Sequence, residues 1–365
     1  MDPSDTTEAQ EAISDVAVCQ SPFDAMVLLA EQPANPTRTA DRADVSRTTA
    51  HRWLDTLLER GWARLRDDHQ YELTAGGNTV LNVCNRCFEQ IGREAVAALA
   101  RSPYAVRVLR ALDSESTAIA SIVDDEDAPS RSTVTRLRNR FEGEGWVSRE
   151  QGEYELTSAG KRALNEYERV AETMELVTEK RPFLEGFRAD GAVPIGVLRE
   201  SSVIETNPER KLRGKPLTAF TEEITPSLDR VRGIVPVVNP AYIRAVRPLL
   251  GSKTQLEFIV DRTVLANARL EYKDVLVESF TAENLDMYVT LEDVSIGVAV
   301  FDDEKAQIGA YDDDYAHRAT LEGTAEAVVD WADKLYDSYR ADAQLVPDVT
   351  TVENAFEKLS NVVIE

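Results

Sequence analysis

The sequence predicts a multidomain α+β chain in which a duplicated helix-and-hairpin unit precedes a mixed α/β domain. Three observations predict it. One pattern of residues occurs twice, the composition changes at Arg181-Pro182, and beyond that point helical and strand-like apolar runs alternate.

The pattern is read most plainly in its second copy. Ser130-Arg131-Ser132-Thr133 runs into Arg136, Leu137, Arg138 and Arg140, then Gly145-Trp146-Val147, a charged turn and Tyr154-Glu155-Leu156-Thr157. Upstream, Ser46-Arg47-Thr48-Thr49 leads to His51, Arg52, Trp53 and Leu54, then Gly61-Trp62-Ala63, a turn at Asp67-Asp68-His69-Gln70 and Tyr71-Glu72-Leu73-Thr74. An offset of 84 residues superposes Arg52 on Arg136, Gly61 on Gly145 and Trp62 on Trp146, and the Tyr-Glu-Leu-Thr blocks pair at 83. An echo of this length marks a duplicated supersecondary unit.

Each copy opens with a serine N-cap before apolar residues at helical spacing, and a glycine stops the helix. The runs after the glycine alternate as strands and return through a turn, which is a hairpin. Two more helices are expected ahead of each capped helix, the first of them Ser21-Pro22-Phe23 to Ala30 and Ser102-Pro103-Tyr104 to Leu112, with proline at the first helical position. Three helices and a hairpin make a winged helix-turn-helix, whose third helix enters the major groove while the hairpin tip lies on the backbone. The organisation read in order is an acidic N-terminus over 1–20, expected to be disordered because Asp2, Asp5, Glu8, Glu11 and Asp15 stand there without a base. A first winged unit with a linking helix follows over 21–98, then a second over 99–180, an α/β sensor domain over 181–345 and a short terminal helix within 346–365.

Net charge is −24, which opposes nucleic acid, yet arginine outnumbers lysine 32 to 9 and the acids are spread through every segment. That pattern resembles proteins adapted to molar intracellular salt, where repulsion is screened and phosphate attraction is weak, so binding leans on base contacts and groove shape. Against this background residues 130–140 hold four arginines and no acid. The expected DNA contacts are Arg131, Ser132, Thr133, Arg136, Arg138 and Arg140, with Arg149 on the following hairpin. In the first copy they are Arg47, Thr48, Thr49, His51 and Arg52, with Arg64 and Arg66 beside the hairpin tip. Trp62 and Trp146 read as core anchors.

Cys84 and Cys87 form a C-x-x-C within the helical pattern Val80, Cys84, Cys87, Phe88, Ile91. Core packing is the first reading, with redox sensing and a metal site completed by Cys19 and histidines as alternatives. From Lys161 to Lys180 an apolar stripe of Leu164, Tyr167, Ala171, Met174 and Val177 is expected to join two copies as a homodimer, or else to pack onto the next domain. Nothing approaches the roughly twenty apolar residues of a membrane helix, and no signal peptide opens the chain, so a cytoplasmic protein is expected.

Beyond Arg181-Pro182, helices are expected over 216–232, 241–250, 263–279 and from Glu322 to about Ala343, with strands over 234–238, 255–260, 285–289, 296–301 and 307–311. Four stretches carry a resemblance: Ser202-Val203-Ile204-Glu205-Thr206-Asn207-Pro208, Asp229 to Tyr242 around Ile234-Val235-Pro236-Val237-Val238-Asn239-Pro240, Tyr311 to His317, and Trp331 to Arg340. They resemble the middle, or sensor, domain of archaeal winged-helix regulators named after a methanogenesis regulator and abundant in haloarchaea. The resemblance implies a transcriptional regulator that binds double-stranded DNA and whose α/β domain senses a small-molecule effector or mediates assembly; such proteins carry one winged unit, whereas this sequence has two.

Catalysis finds no foothold. His317 is the sole histidine of that region and is not followed by lysine in the paired phosphodiesterase pattern, and no G-x-x-x-x-G-K, G-x-G-x-x-G or G-x-S-x-G occurs. Asp302-Asp303-Glu304 and Asp312-Asp313-Asp314 read as solvated turns. No enzyme, cofactor or metal is therefore expected. Topology puts ligands beyond the carboxyl ends of strands, which selects Asn239, Tyr242, Asp261, Tyr311, Tyr315 and His317. The competing class is an interaction scaffold whose winged units dock on the transcription machinery without reading sequence.

Overall fold

The computed structural model describes residues 3–18, 20–114, 129–150, 153–189, 191–206 and 214–346. It divides into two compact units, Met1–Glu179 and Lys180–Glu365. Cys19 and the terminal helix expected at 352–363 lie outside the described residues.

Unit 1 opens with a correction. The acidic opening forms helix α1, Pro3–Ala17. Ala9, Ala12, Ile13 and Val16 recur at helical spacing and are buried, so this run has an apolar face that its acid count concealed. Asp15 pairs with Arg60 at 2.9 Å, Gln10 donates to the Ala100 carbonyl, and Arg93 binds the Val16 and Val18 carbonyls at the helix end.

The first copy then runs α2 (Pro22–Glu31), α3 (Pro36–Ala43), α4 (Arg47–Glu59), strands β1 (Ala63–Leu65) and β2 (Tyr71–Leu73), and α5 (Ala75–Ile91). After α6 (Arg93–Ala100) the second copy gives α7 (Ala105–Ser114), α8 (Arg131–Gly143), β3 (Val147–Glu150), β4 (Glu153–Leu156) and α9 (Ser158–Glu179). The expected cap at Ser21 is present as a capping box, whereas Ser102 and Pro103 lie in a turn and α7 starts at Ala105. The second expected helix of this copy falls within 115–128, outside the described residues.

The two copies agree down to single hydrogen bonds. Ser46 Oγ accepts from Thr49 N and Ser130 Oγ from Thr133 N, closing the start of α4 and α8. At the other end Gly61 and Gly145 both take φ +71, while Trp62 N donates to the Leu57 carbonyl and Trp146 N to that of Phe141, each at 2.8 Å. This is the Schellman stop, in which a left-handed residue lets the chain turn back and satisfies the last carbonyls. Thr74 and Thr157 donate their hydroxyls to the Gly61 and Gly145 carbonyls at 2.7 Å. They also accept from Gly77 N and Gly160 N, capping α5 and α9. A Cβ at Gly77 would stand 2.0 Å from the Trp62 carbonyl oxygen, and one at Gly160 2.1 Å from that of Trp146, so the repeat extends to these glycines. Both tryptophans are buried, anchoring hairpin to helix.

Helices α5 and α9 are equivalents in the repeat and pack against each other, with α1 also against α9. Leu164, Tyr167, Val170, Met174 and Val177 are buried there. The stripe expected to join two copies of the chain, or to cover the next domain, is thus occupied inside unit 1. At the 83-residue offset Cys84 aligns with Tyr167 and Cys87 with Val170, so the C-x-x-C fills core positions of the same interface. Burial raises both thiols far above their ordinary range, Cys87 up to about 12, which holds them protonated.

Unit 2 is built on one eight-stranded sheet ordered β12-β8-β7-β6-β9-β10-β11-β5. The strands are β5 (Ser202–Glu205), β6 (Arg230–Val235), β7 (Gln255–Asp261), β8 (Leu285–Thr290), β9 (Ile296–Phe301), β10 (Lys305–Tyr311), β11 (His317–Gly323) and β12 (Gln344–Leu345). β6, β7 and β8 are parallel and the remaining pairs antiparallel. The helices are α10 (Arg181–Leu184), α11 (Ile195–Glu200), α12 (Lys215–Glu223), α13 (Pro240–Val246), α14 (Arg262–Glu271), α15 (Lys273–Thr281) and α16 (Glu326–Asp342).

Four expectations shift here. The helix expected over 216–232 ends at Glu223 ahead of Pro226, and the strand expected at 234–238 begins at Arg230. The helix expected over 263–279 breaks at Tyr272 into α14 and α15. Strand β11 replaces what read as loop and helix start, because Ala319 and Leu321 are buried between β10 and β5. The acidic turns are structural: Asp302 accepts from the Asp229 and Arg230 amides, and Asp312 accepts from Asp314 N and Ala316 N and pairs with Arg318.

Candidate nucleic-acid interface and an apolar pocket

Helix α8 buries Val134, Leu137 and Phe141 and turns Arg131, Ser132, Thr135, Arg136, Asn139 and Arg140 outward. Burial at that spacing leaves the opposite face wet, and here that face is cationic. Among the described residues no carboxylate pairs with Arg131, Arg136 or Arg140. Ser132 and Thr133 are partly committed to the cap, their hydroxyls standing 2.8 and 3.0 Å from Ser130 Oγ. Arg138 behaves differently from its neighbours: it lies 4.4 Å above the Tyr154 ring, donates to Asn139 and is half-buried. Arg149, on β3, sits 5.4 Å from the same ring. Tyr154 is thus a clamp between helix and hairpin, a role that the Tyr-Glu-Leu echo could have signalled.

The first copy presents Arg47, Thr48, His51 and Arg52 on the exposed face of α4, with Thr49 half-buried and bonded to Ser46. Its hairpin cations are neutralised. Arg64 pairs with Glu72, and Arg66 pairs with Glu72 at 3.0 Å and faces Asp68 at 3.5 Å. Asp55 and Glu59 are exposed on the same helix. The sites expected in the two copies are therefore unequal in charge although they stand on one frame.

Unit 2 holds a cavity of about 190 Å³ on the sheet face beneath α12 to α15. Two apolar clusters cover that face, one around Val231, Leu256 and Phe301 and one around Val260, Val264 and Leu276, and members of both line the cavity. Its polar end gathers four of the six residues expected at a ligand site. Tyr242 OH lies 3.0 Å from His317 Nδ1 and 3.4 Å from Tyr311 OH, His317 Nε2 lies 2.8 Å from Thr320 Oγ1, and Asn239 caps α13 at the rim. The Tyr311 ring stacks on His317 with centroids 4.7 Å apart. Burial lowers His317 from its ordinary range to about 4, and raises Tyr242 and Tyr311, so the cluster is uncharged at neutral pH.

Two expected residues lie elsewhere. Asp261 caps α14, accepting from Val264 N at 2.7 Å and Val294 N at 3.1 Å, which spends both carboxylate oxygens on the backbone. Tyr315 is exposed, in a left-handed turn at φ +56. Sequence reasoning missed Phe220, Thr320 and the glycine pair Gly297 and Gly309, which face each other across β9 and β10. A Cβ on either glycine would come within 2.9 Å of the Tyr311 side chain, so they form the floor on which that ring lies. Glycine inside two neighbouring strands was the available signal.

Among the described residues no group of three His, Cys, Asp or Glu side chains is placed to hold a metal ion, and no single helix is long and apolar enough to cross a membrane.

Two family models match the sequence. Residues 214–342 are similar to the middle domain of the methanogenesis regulatory protein FilR1, and residues 10–95 and 93–179 are each similar to the HVO_A0261 N-terminal domain. The second match falls twice, on the two copies of the repeat, the first beginning within α1 and the second at the start of α6. No curated protein matches. Similar solved structures include TrmBL2, described as an archaeal chromatin protein with a novel mode of DNA binding, at 10% identity over 88% of this chain and 92% of that one, with a TM-score of 0.31. They also include NucT from Helicobacter pylori, at 13% identity over 40% of this chain and 99% of that one with a TM-score of 0.33. The phospholipase D family member Nuc from Salmonella typhimurium aligns at 11% identity over 40% of this chain and 99% of that one, with a TM-score of 0.32. At a coarse level the family matches support a protein of the transcription-regulator type.

Proposed function

We propose that the chain is a sequence-specific regulator that binds double-stranded DNA through α8, with α4 as a second reader, and that unit 2 modulates binding through its pocket. The observation that carries the DNA reading is the cationic face of Arg131, Arg136 and Arg140 on a rigidly capped helix, in a chain of net charge −24. A surface selected only for solubility in strong salt would be acidic there as elsewhere. In this reading the two copies are winged helix-turn-helix units, and the medium is the molar salt of a haloarchaeal cytoplasm. The role is one of binding, not of catalysis.

The apolar stripe on which a homodimer was expected is buried within unit 1, and in this reading a single chain carries both halves. An element that packs on its own equivalent, as α5 does on α9, is the arrangement of a two-fold pair. One chain then supplies what two supply in a dimeric reader, and a site of two unequal half-sites is expected.

The test is capture of genomic fragments by the full-length protein in molar potassium chloride, sequenced beside an Arg131→Ala/Arg136→Ala/Arg140→Ala variant. A two-part motif enriched by the wild type and lost by the variant is the expected result, with one chain per duplex by mass. No enrichment with a folded protein would favour the scaffold that docks on the transcription machinery.

A further inference from the structure

The pocket of unit 2 has a chemistry that narrows what it takes. Its walls come from α12 to α15 and from the mid-sheet strands, and are overwhelmingly aliphatic and aromatic, with Phe220, Ile243, Phe258, Leu265 and Met287 among them. Among the described residues Arg247 is the one permanently charged side chain on the lining, and it is tied to Glu278 at 2.8 Å on the exposed rim. An anionic ligand would find no counter-charge inside, and neither would a cation. Burying either charge unpaired costs several kcal/mol or more.

The polar end offers something else. Tyr242 OH, Tyr311 OH, the His317 ring and Thr320 Oγ1 form a continuous chain of groups that each donate or accept. A neutral imidazole holds one proton on two nitrogens, so either Nδ1 accepts from Tyr242 and Nε2 donates to Thr320, or the direction reverses along the chain. In both directions Tyr242, 3.4 Å from Tyr311 on one side and 3.0 Å from His317 on the other, retains capacity for a further partner. Tyr242's one proton is committed along the chain in either direction, so what it keeps is an oxygen lone pair, to which a ligand hydroxyl donates.

We propose that this cavity binds an uncharged, mainly apolar small molecule the size of a substituted benzene ring, oriented by a single hydroxyl on Tyr242 within the Tyr242–His317–Thr320 chain. Its volume of about 190 Å³ sets the size, since an apolar cavity of about 150 Å³ admits benzene. The glycine floor at Gly297 and Gly309 is part of the design, because a Cβ at either position would strike the Tyr311 ring where it lies against the sheet and stacks on His317. The proposal rests on the reading of unit 2 as the effector-responsive part of the chain.

Three related probes separate the contributions: 4-methylphenol, toluene and 4-methylbenzoate, titrated onto the full-length protein by ligand-observed NMR. A ligand of eight heavy atoms is expected to bind at about 1 mM. Removing the hydroxyl should weaken binding roughly tenfold, the value of one hydrogen bond, and the carboxylate should weaken it further. In Tyr242→Phe, 4-methylphenol should fall to the affinity of toluene, and in Ala268→Phe, which fills the wall from α14, all three should lose binding while circular dichroism stays unchanged. Equal or tighter binding of 4-methylbenzoate, retention of 4-methylphenol by Ala268→Phe, or no saturable binding of either neutral probe would overturn the inference. Genomic capture without any probe tests the DNA reading separately, so loss of one leaves the other standing.

Discussion

The two copies of the repeat share one frame and carry unequal surfaces on it. Ser46 and Ser130 cap the same turn, Gly61 and Gly145 stop the same helix at the same φ, and Gly77 and Gly160 meet the same tryptophan carbonyl. The outer faces have parted. In the first copy Glu72 holds Arg64 and Arg66, and Asp55 and Glu59 follow the basic residues of α4. In the second the equivalent hairpin residue, Glu155, forms no ion pair with an arginine of α8 among the described residues, and Tyr154 carries Arg138 and Arg149 on its ring. The positions that specify backbone geometry have stayed, because an error there breaks the unit, while solvent-facing positions have been left to differ in what they bind.

The largest effect should separate the copies outright. Arg131→Ala/Arg136→Ala/Arg140→Ala is expected to weaken binding to the recovered site by about 10²–10⁴-fold and to lower the salt slope by about one for each phosphate no longer bound. Arg47→Ala/His51→Ala/Arg52→Ala should cost less, about tenfold. Fluorescence anisotropy over a potassium chloride series measures both, and equal losses would show that charge does not distinguish the readers.

Next in size, Gly77→Ala and Gly160→Ala should destabilise alike. Each places a methyl some 2 Å from a backbone oxygen, and overpacking of this kind costs about 1–3 kcal/mol, read as a drop in urea midpoint. A difference of more than about 1 kcal/mol between them would break the equivalence of the two frames.

A smaller effect tests the α5–α9 interface. Cys87→Val, which copies Val170, should cost under about 1 kcal/mol, whereas Cys87→Ser buries an unpaired hydroxyl and should cost about 1–3 kcal/mol. Because burial holds both thiols protonated, Cys84 and Cys87 of a Cys19→Ala variant at pH 8 should resist iodoacetamide and become reactive only on unfolding. Rapid labelling of Cys84 or Cys87 in the folded state would restore the redox reading.

The smallest change is Tyr154→Leu. It removes the ring beneath Arg138 and Arg149, an interaction worth about 0.5–1 kcal/mol, and should lower DNA affinity a few-fold while leaving the first copy's contribution untouched. An unaltered affinity would mean that neither arginine is positioned by the ring.

Much of unit 1 was legible because its signals are local. A serine cap, a left-handed glycine and a period-two run each act within a few residues, and their repetition at a fixed offset multiplied the signal. The candidate contacts were legible in the same way, since helical spacing alone places Arg131, Arg136 and Arg140 opposite Val134, Leu137 and Phe141. Arg138, Arg64 and Arg66 were not, because whether a cation is engaged depends on a partner across the hairpin. Residues 1–20 misled for a related reason: the acids dominate the composition, but a few small or branched apolar residues, Ala9, Ala12, Ile13, Val16 and Ala17, decide whether the run can pack.

The repeat, its caps and stops, and the outward faces of α4 and α8 are thus written in the order of the residues, because they depend on interactions over one or two helical turns. Only the folded chain reveals that α9 buries its apolar stripe against α5 and α1. The same holds for β11 completing the sheet, for Asp261 serving as a cap, and for the meeting of Tyr242, Tyr311, His317 and Thr320 above a glycine floor. Each of these joins residues far apart in the chain or sets a helix against a distant partner. A side chain's own neighbours do not encode which distant group will stand within 3 Å of it; that follows only once the strands are in register and the helices are laid across them.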